Sequence, residues 1–398
     1  MRIEQVRLKN FKMFQDVTVK GIEPFTVLVG ANGSGKSTFF DVFGFLRDCL
    51  KDNVRTALAR RGGFRELVTR GHEGETILIE LKLRMPLLID ERSSERTVTY
   101  LIEIASAKGD ISVAQEQLSY TRFGGGKPYR FIDFKDGAGS AISNEAELAK
   151  GAEERRENQR LDSRDILAIK GLGQFQRFEA ASAIRYLIEN WHVSDFHISA
   201  ARTTPDAAVA EHLSSEGDNL PLVTQFLYEN HRNVFDDILA RMRRRVPGIR
   251  DIEAQQTVDG RIVLRFQDGS FKDPFVARFV SDGTIKMFAY LVLLHDPKPH
   301  QMLCVEEPEN QLYPSLMGEL AEEFQEYARR GGQVFVSTHS PDFLNSVDLK
   351  SLLVLTKDRG MTKIRSASEF EQIANMVEAG DKLGWLWRQG MFKGVDPR

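Results

Sequence analysis

One octapeptide constrains this 398-residue chain more than anything else in it. Gly30-Ala31-Asn32-Gly33-Ser34-Gly35-Lys36-Ser37 matches the pattern GxxxxGK[ST] in full. The stretch before it, Phe25-Thr26-Val27-Leu28-Val29, is β-branched and apolar and runs into a glycine, as a buried parallel strand does. The stretch after it carries Phe39, Phe40, Phe43 and Leu46 at helical spacing. A glycine-rich turn between strand and helix brings backbone N–H groups close to a chain of phosphates. In such a loop Lys36 reaches the β- and γ-phosphates, the Ser37 hydroxyl ligates Mg2+, and Thr38 follows in the same cradle. The pattern predicts an α/β nucleotide-binding fold.

Composition narrows the remaining classes. The two cysteines, Cys49 and Cys304, are far apart in sequence, which excludes a disulfide framework and a local cysteine-based zinc site. The opening MRIEQVRLKNFKMF mixes charge with apolar residues and has no signal-peptide core, and the longest apolar run, Phe288–Leu294, falls far short of a membrane span. A soluble, cytoplasmic chain is expected. A formal net charge of −3 does not announce a nucleic-acid binder, so any such surface must be a local patch.

Along the chain, Ile3–Leu8 and Asp16–Val19 read as short strands. Ile77, Ile79, Leu81 and Leu83 alternate with Leu78, Glu80, Lys82 and Arg84, and Val98, Tyr100 and Ile102 alternate likewise, which predicts an antiparallel sheet with one buried face, with Tyr129–Phe134 as a further strand. Gly124-Gly125-Gly126-Lys127 reads as a hairpin turn, because no helix pattern follows it. Residues 144–245 read as mostly helical, with the polar run Asn144–Arg160 a solvated helix or a mobile segment. From Ile262 the strand–helix alternation of a parallel sheet returns, with a helix over Ile285–Leu294, a strand over Met302–Val305, a helix over Tyr313–Arg330 and strands over Val334–Ser337 and Leu352–Leu355. The expected division is a lobe over 1–140, a helical insertion over 141–250 and a second lobe over 251–398.

Three further motifs carry chemistry. Met302-Leu303-Cys304-Val305-Glu306-Glu307 is an apolar strand that delivers two acids at its carboxyl end, where doubly wound sheets hold ligands. Glu306 is expected to hold Mg2+ and Glu307 to orient and deprotonate an attacking water. Ser281-Asp282-Gly283-Thr284 opens the helix over Ile285–Leu294, and polar residues with a glycine at a helix start form an anion site. Ser337-Thr338-His339-Ser340-Pro341 places a histidine at a strand end, where it can hydrogen-bond a γ-phosphate or the attacking water.

These four motifs in this order resemble the ATP-binding-cassette type of ATPase, and within it the RecF, SMC and OLD-like branch of AAA-type ATPases. The opening Ile3–Phe11, the phrase Glu306-Glu307-Pro308-Glu309-Asn310-Gln311-Leu312-Tyr313-Pro314 and the shortened signature Ser281–Thr284 are all similar to that branch. The resemblance implies an α/β P-loop fold of ABC-ATPase type with an antiparallel β subdomain and a helical insertion. It implies ATP and Mg2+ as ligands and a head-to-tail dimer, or a higher assembly of dimers, that closes on ATP. Ser281 and Gly283 would then act on the partner's nucleotide, with Asp282 a further nucleotide-binding residue of the signature, Lys36, Ser37, Glu306, Glu307 and His339 would act on their own, and Asn310 would lie in the loop that communicates between the two sites. Its output would be DNA repair or defence against mobile elements, through DNA or a separate nuclease or effector. The stretch after Leu355 leaves no room for the Toprim-type nuclease module that some relatives carry.

Two departures stand out. The first acid is Glu306 where the branch usually has aspartate, and the glutamine of the Q-loop is not assignable among Gln115, Gln117, Gln174 and Gln176. Two basic clusters, Arg55/Arg60/Arg61/Arg65 and Arg241/Arg243/Arg244/Arg245, are candidates for phosphate contacts with DNA or for solvated faces. A transporter nucleotide-binding subunit is the alternative reading, weakened by the missing long signature and the two insertions. A GTPase would need Asn-Lys-x-Asp, which the chain lacks, and a nucleotide kinase would need a lid and an acceptor pocket.

Overall fold

A computed structural model describes residues 1–89, 92–120, 129–144, 147, 152–194, 196–392 and 395. In chain order the first strands are β1 (Arg2–Phe11), β2 (Phe14–Lys20), β3 (Phe25–Gly30), β4 (Ile77–Ile89), β5 (Arg92–Ala107) and β6 (Asp110–Tyr120). There follow β7 (Tyr129–Lys135), β8 (Ala138–Ile142), β9 (Arg156–Arg160), β10 (Trp191–Ser194), β11 (Ile249–Gln256) and β12 (Ile262–Asp268). The last are β13 (Phe275–Val276), β14 (Met302–Glu306), β15 (Gln333–Ser337), β16 (Leu352–Asp358) and β17 (Met361–Ser366).

The chain forms two compact units. The first comprises Met1–Trp191, Leu349–Asn375 and Phe392–Arg398; the second comprises His192–Asp348 and Met376–Met391. The boundaries expected at 140/141 and 250/251 do not coincide with this division. The chain leaves the first unit after Trp191 and returns to it at Leu349, just before β16, which pairs in parallel with β3 (Leu352 opposite Val27, Leu355 opposite Gly30).

In the first unit an eight-stranded antiparallel sheet runs β2-β1-β4-β5-β6-β7-β8-β9. Period-two alternation explains its buried face: Ile77, Ile79, Leu81, Leu83 and Met85 are buried, whereas Glu80, Lys82 and Arg84 are not. The polar run read as a solvated helix or mobile segment is a strand instead over Arg156–Arg160, paired with β8. Its residues alternate between exposed and half-buried, and its charged side chains suit an edge, where they discourage further pairing. The expected hairpin turn at Gly124–Lys127 lies outside the described residues. Strand β3 is buried at every residue, and the helix Lys36–Lys51 after it buries Phe39, Phe40, Phe43 and Leu46. Phe43 meets Phe39 edge-on at 5.5 Å and Trp191 at 5.4 Å, a favourable aromatic geometry.

In the second unit β14 and β15 are parallel, with Glu306 opposite Ser337. The helix between them begins at Met317, later than the sequence pattern predicts, because a 3-10 turn over Pro314–Leu316 precedes it. The helix Asp282–Leu294 is buried all round from Thr284 onward, and β11, β12 and β13 form a small antiparallel sheet. Among the described residues no helix is long and apolar enough to cross a membrane.

Candidate functional site

The first unit holds the phosphate cradle. Gly35 caps the helix Lys36–Lys51 at φ 105°, and no side chain caps the helix start, so its N–H groups face a prospective ligand. A Cβ at Gly35 would lie 2.9 Å from Met13 Sδ and 3.0 Å from Thr362 Oγ1. A Cβ at Gly30 would lie 2.4 Å from Ser34 Oγ and 2.6 Å from the Leu355 carbonyl. Both glycines are therefore required sterically. The Thr362 hydroxyl donates to the Ser34 carbonyl at 2.7 Å and tethers the loop to β17. Lys36 is buried, and its ammonium donates to the Gly30 carbonyl at 2.9 Å and the Ala31 carbonyl at 3.4 Å, which holds the charge over the loop. Asn32, Gly33 and Ser37 are exposed, and Ala31 and Thr38 are half-buried. The unfilled helix start and the space only glycine permits fit a polyphosphate.

The second unit holds the acids. Glu306 ends β14 half-buried, and the chain then turns sharply: Glu307 takes φ 42° and Gln311 φ 69°, left-handed values at non-glycine residues. Several bonds hold this turn. The Glu307 N–H donates to the Ser337 carbonyl at 2.9 Å. Asn310 Nδ2 donates to Glu307 Oε2 at 3.0 Å, and His339 Nε2 lies 3.6 Å from Glu307 Oε1. The His339 N–H donates to Glu309 Oε1 at 2.6 Å. Glu307, Asn310 and His339 are thus gathered at the carboxyl ends of β14 and β15.

The signature packs on the same turn. Ser281 caps the helix Asp282–Leu294, accepting from the Thr284 N–H at 3.4 Å, and Arg202 pairs with Asp282 at 2.6 Å. A Cβ at Gly283 would come within 2.8 Å of the Gln311 carbonyl. One turn further on, Lys286 is buried and donates to the Asn310 carbonyl at 2.8 Å and the Glu307 carbonyl at 3.5 Å. Burial holds its pKa down to about 8, with Glu309 and Glu307 pulling the other way. Burial also pushes the Glu309 carboxyl up, opposed by the His339 N–H. Lys286, Glu309 and Ser337 were not anticipated. Lys286 reads as one more helix residue until its neighbours are known, and Ser337 accepts from the Glu307 N–H through its backbone carbonyl at 2.9 Å and its hydroxyl at 3.4 Å.

Glu306 and the Ser37 hydroxyl supply hard oxygen donors of the kind Mg2+ takes. Gln117 donates to Asp133 at 3.0 Å and Gln174 to the Lys170 carbonyl at 3.3 Å. Three arginines of the first basic cluster and two of the second pair with carboxylates. Arg61 binds Asp41 at 2.7 Å and Asp48 at 2.8 Å, Arg60 binds Asp52 at 2.7 Å, and Arg55 binds Asp110 at 2.8 Å. Arg241 and Arg245 both grip the buried Glu323 at 2.6 Å.

Comparison with known sequences bears on this arrangement directly. Residues 25–345 match the family described as "AAA domain, putative AbiEii toxin, Type IV TA system". The chain belongs to this family. The matched span runs from the strand before the phosphate loop past the histidine motif. A comparison with curated proteins finds no match. Among solved structures, the chain is similar to the Smc head bound to the C-winged helix domain of ScpA, at 16% identity and TM-score 0.54, covering 92% of this chain and 98% of that one. It is similar also to the Smc head domain with an extended coiled coil bound to the C-terminal domain of ScpA derived from Pyrococcus furiosus, at 13% identity and TM-score 0.54, covering 94% and 99%. The fold of this AAA-family chain is thus the α/β P-loop fold of SMC heads, an ABC-type ATPase fold.

Proposed function

We propose that this chain is an ATP-binding and ATP-hydrolysing switch that closes as a head-to-tail dimer on ATP and reopens on hydrolysis. The observation that carries the reading is the gathering of Glu307, Asn310 and His339 beside the signature in a family member with a complete phosphate loop. Gly30 to Gly35 and the helix start bind the phosphates through backbone N–H groups. Lys36 places positive charge against the β- and γ-phosphates. Glu307 accepts the proton of the attacking water, and His339 orients Glu307 and contacts the γ-phosphate. Ser37 and Glu306 would hold Mg2+, which when bound neutralises charge on the phosphates. Ser281, Asp282 and Gly283 of one copy would meet the nucleotide of the other. The phrase describing the family, an AbiEii toxin of a type IV toxin–antitoxin system, supports an output in defence against mobile elements, through DNA or a separate nuclease or effector.

The test is the solution mass of the Glu307→Gln protein by light scattering, with and without Mg-ATP, then with double-stranded DNA. A doubling of mass on ATP is expected. A mass that never responds to ATP, in a protein shown to bind it, would overturn the dimer switch.

A further inference from the structure

Two of the chain's eight histidines gather at one buried aspartate, and a third histidine ring stands beside them, away from every motif discussed above. His192 lies on β10, His212 follows in a loop, and Asp296 and His300 flank Pro297-Lys298-Pro299 in the segment between the helix Asp282–Leu294 and β14. His212 Nδ1 is 2.7 Å from Asp296 Oδ2. Ligating atoms of His212, Asp296 and His300 all lie within 4.8 Å of one another. The His192 ring stands 4.9 Å from that of His300, and the His212 ring 5.3 Å from it.

We propose that His212, Asp296 and His300, with His192 as the fourth ligand, form a structural site for a divalent transition metal of the zinc class. Imidazole and carboxylate donors suit Zn2+ better than Mg2+ or Ca2+, which take oxygen ligands. Four protein ligands close a tetrahedral sphere and make the site structural, not catalytic. Bonds of about 2 Å put tetrahedral ligand atoms roughly 3.3 Å apart. His212, with its side chain 40% exposed, has the freedom to close the remaining distance. Asp296 and His300 are already positioned. Asp296 accepts the Lys298 N–H at 2.8 Å through its second oxygen, Tyr327 donates its hydroxyl to the His300 carbonyl at 2.5 Å, and two prolines stiffen the segment. Bound metal would pin β10 and the His212 loop to the segment that leads into the acid-bearing strand. The inference does not depend on ATP hydrolysis.

The experiment is calorimetric titration of the full chain, stripped with EDTA and free of nucleotide, with ZnCl2, alongside melting curves. One equivalent of zinc per chain is expected, with a melting temperature that rises on loading and falls on chelation. His212→Ala and His300→Ala should each weaken zinc binding by at least about tenfold and abolish the thermal shift. His339→Ala, which removes the histidine beside Glu307, should leave zinc binding intact. If His300→Ala fails to fold, the partly exposed His212→Ala decides alone. The proposal is overturned by zinc binding no tighter than about 10 μM, or by undiminished binding in His212→Ala, or by its loss in His339→Ala.

Discussion

The phosphate loop of the first unit and the acid loop of the second solve one geometric problem by opposite means. Each must turn a chain sharply at the carboxyl end of a buried strand. The phosphate loop does so with glycine at φ 73° and 105°, at Gly33 and Gly35. The acid loop does so with Glu307 at 42° and Gln311 at 69°, residues for which that region is unfavourable by about 1–2 kcal/mol each. Under the proposed function, the first loop needs glycine because phosphates touch its backbone, and the second needs a side chain that does chemistry. In the second the strain is offset by bonds with Ser337, Asn310 and Lys286. Strained backbone at such a residue is a frequent mark of function.

The difference can be sharpened by substitution, the largest effect first. Glu307→Gln keeps shape and removes the base, so hydrolysis should slow by about 10²–10⁴-fold while ATP still binds. Single-turnover phosphate release measures this, and unchanged turnover would move the base elsewhere, to His339 first. Lys36→Ala should weaken ATP binding by roughly 10²-fold, because a charge-assisted bond to phosphate is lost. Retained tight binding of a fluorescent ATP analogue would contradict the cradle.

Lys286→Met tests whether the acid loop is held from the signature helix. Its ammonium faces the carbonyls of Asn310 and Glu307, the carboxylates of Glu309 and Glu307, and the Tyr290 ring at 5.7 Å. A turnover loss of about tenfold is expected with ATP affinity unchanged, since the residue positions Glu307 and does not touch nucleotide. The sign with pH follows from a pKa lowered to about 8. Below pH 8 the charged ammonium donates; above it the neutral amine donates more weakly and the hold on the loop loosens. Wild-type turnover should therefore fall on the alkaline side near pH 8, and Lys286→Met should lack that limb. An identical alkaline limb in the variant would assign it to another group.

Legibility followed the same divide. The phosphate loop could be read from residue types alone, because only glycine satisfies a close approach and its spacing along the chain is fixed. The second acid and the histidine were legible for a related reason: each sits at the end of an apolar strand. The hold on Glu307 was not legible, since Lys286 and Ser337 act on backbone carbonyl and amide groups that sequence does not distinguish. The basic clusters left two readings open. Arg241 and Arg245 look free in sequence, but their carboxylate, Glu323, lies on a different helix. The polar run before Arg160 carries no apolar period, so nothing marked Arg156–Arg160 as an edge strand.

The smallest effect separates the two kinds of turn most cleanly. Gln311 is exposed and, unlike Glu307, is not given a chemical role. Gln311→Gly should relieve about 1 kcal/mol of left-handed strain. It should also add unfolded-state freedom worth about 0.5–1 kcal/mol. The net change in stability should therefore stay within about 0.5 kcal/mol, as measured by denaturant melts. Gly35→Ala carries the opposite expectation. The new methyl meets Met13 Sδ and Thr362 Oγ1 at φ 105°, where no bond compensates, and destabilisation of about 1–3 kcal/mol should follow. If Gln311→Gly destabilised as much as Gly35→Ala, the glutamine side chain would be holding the acid loop. The loop would then be built by its own residues and not by its neighbours.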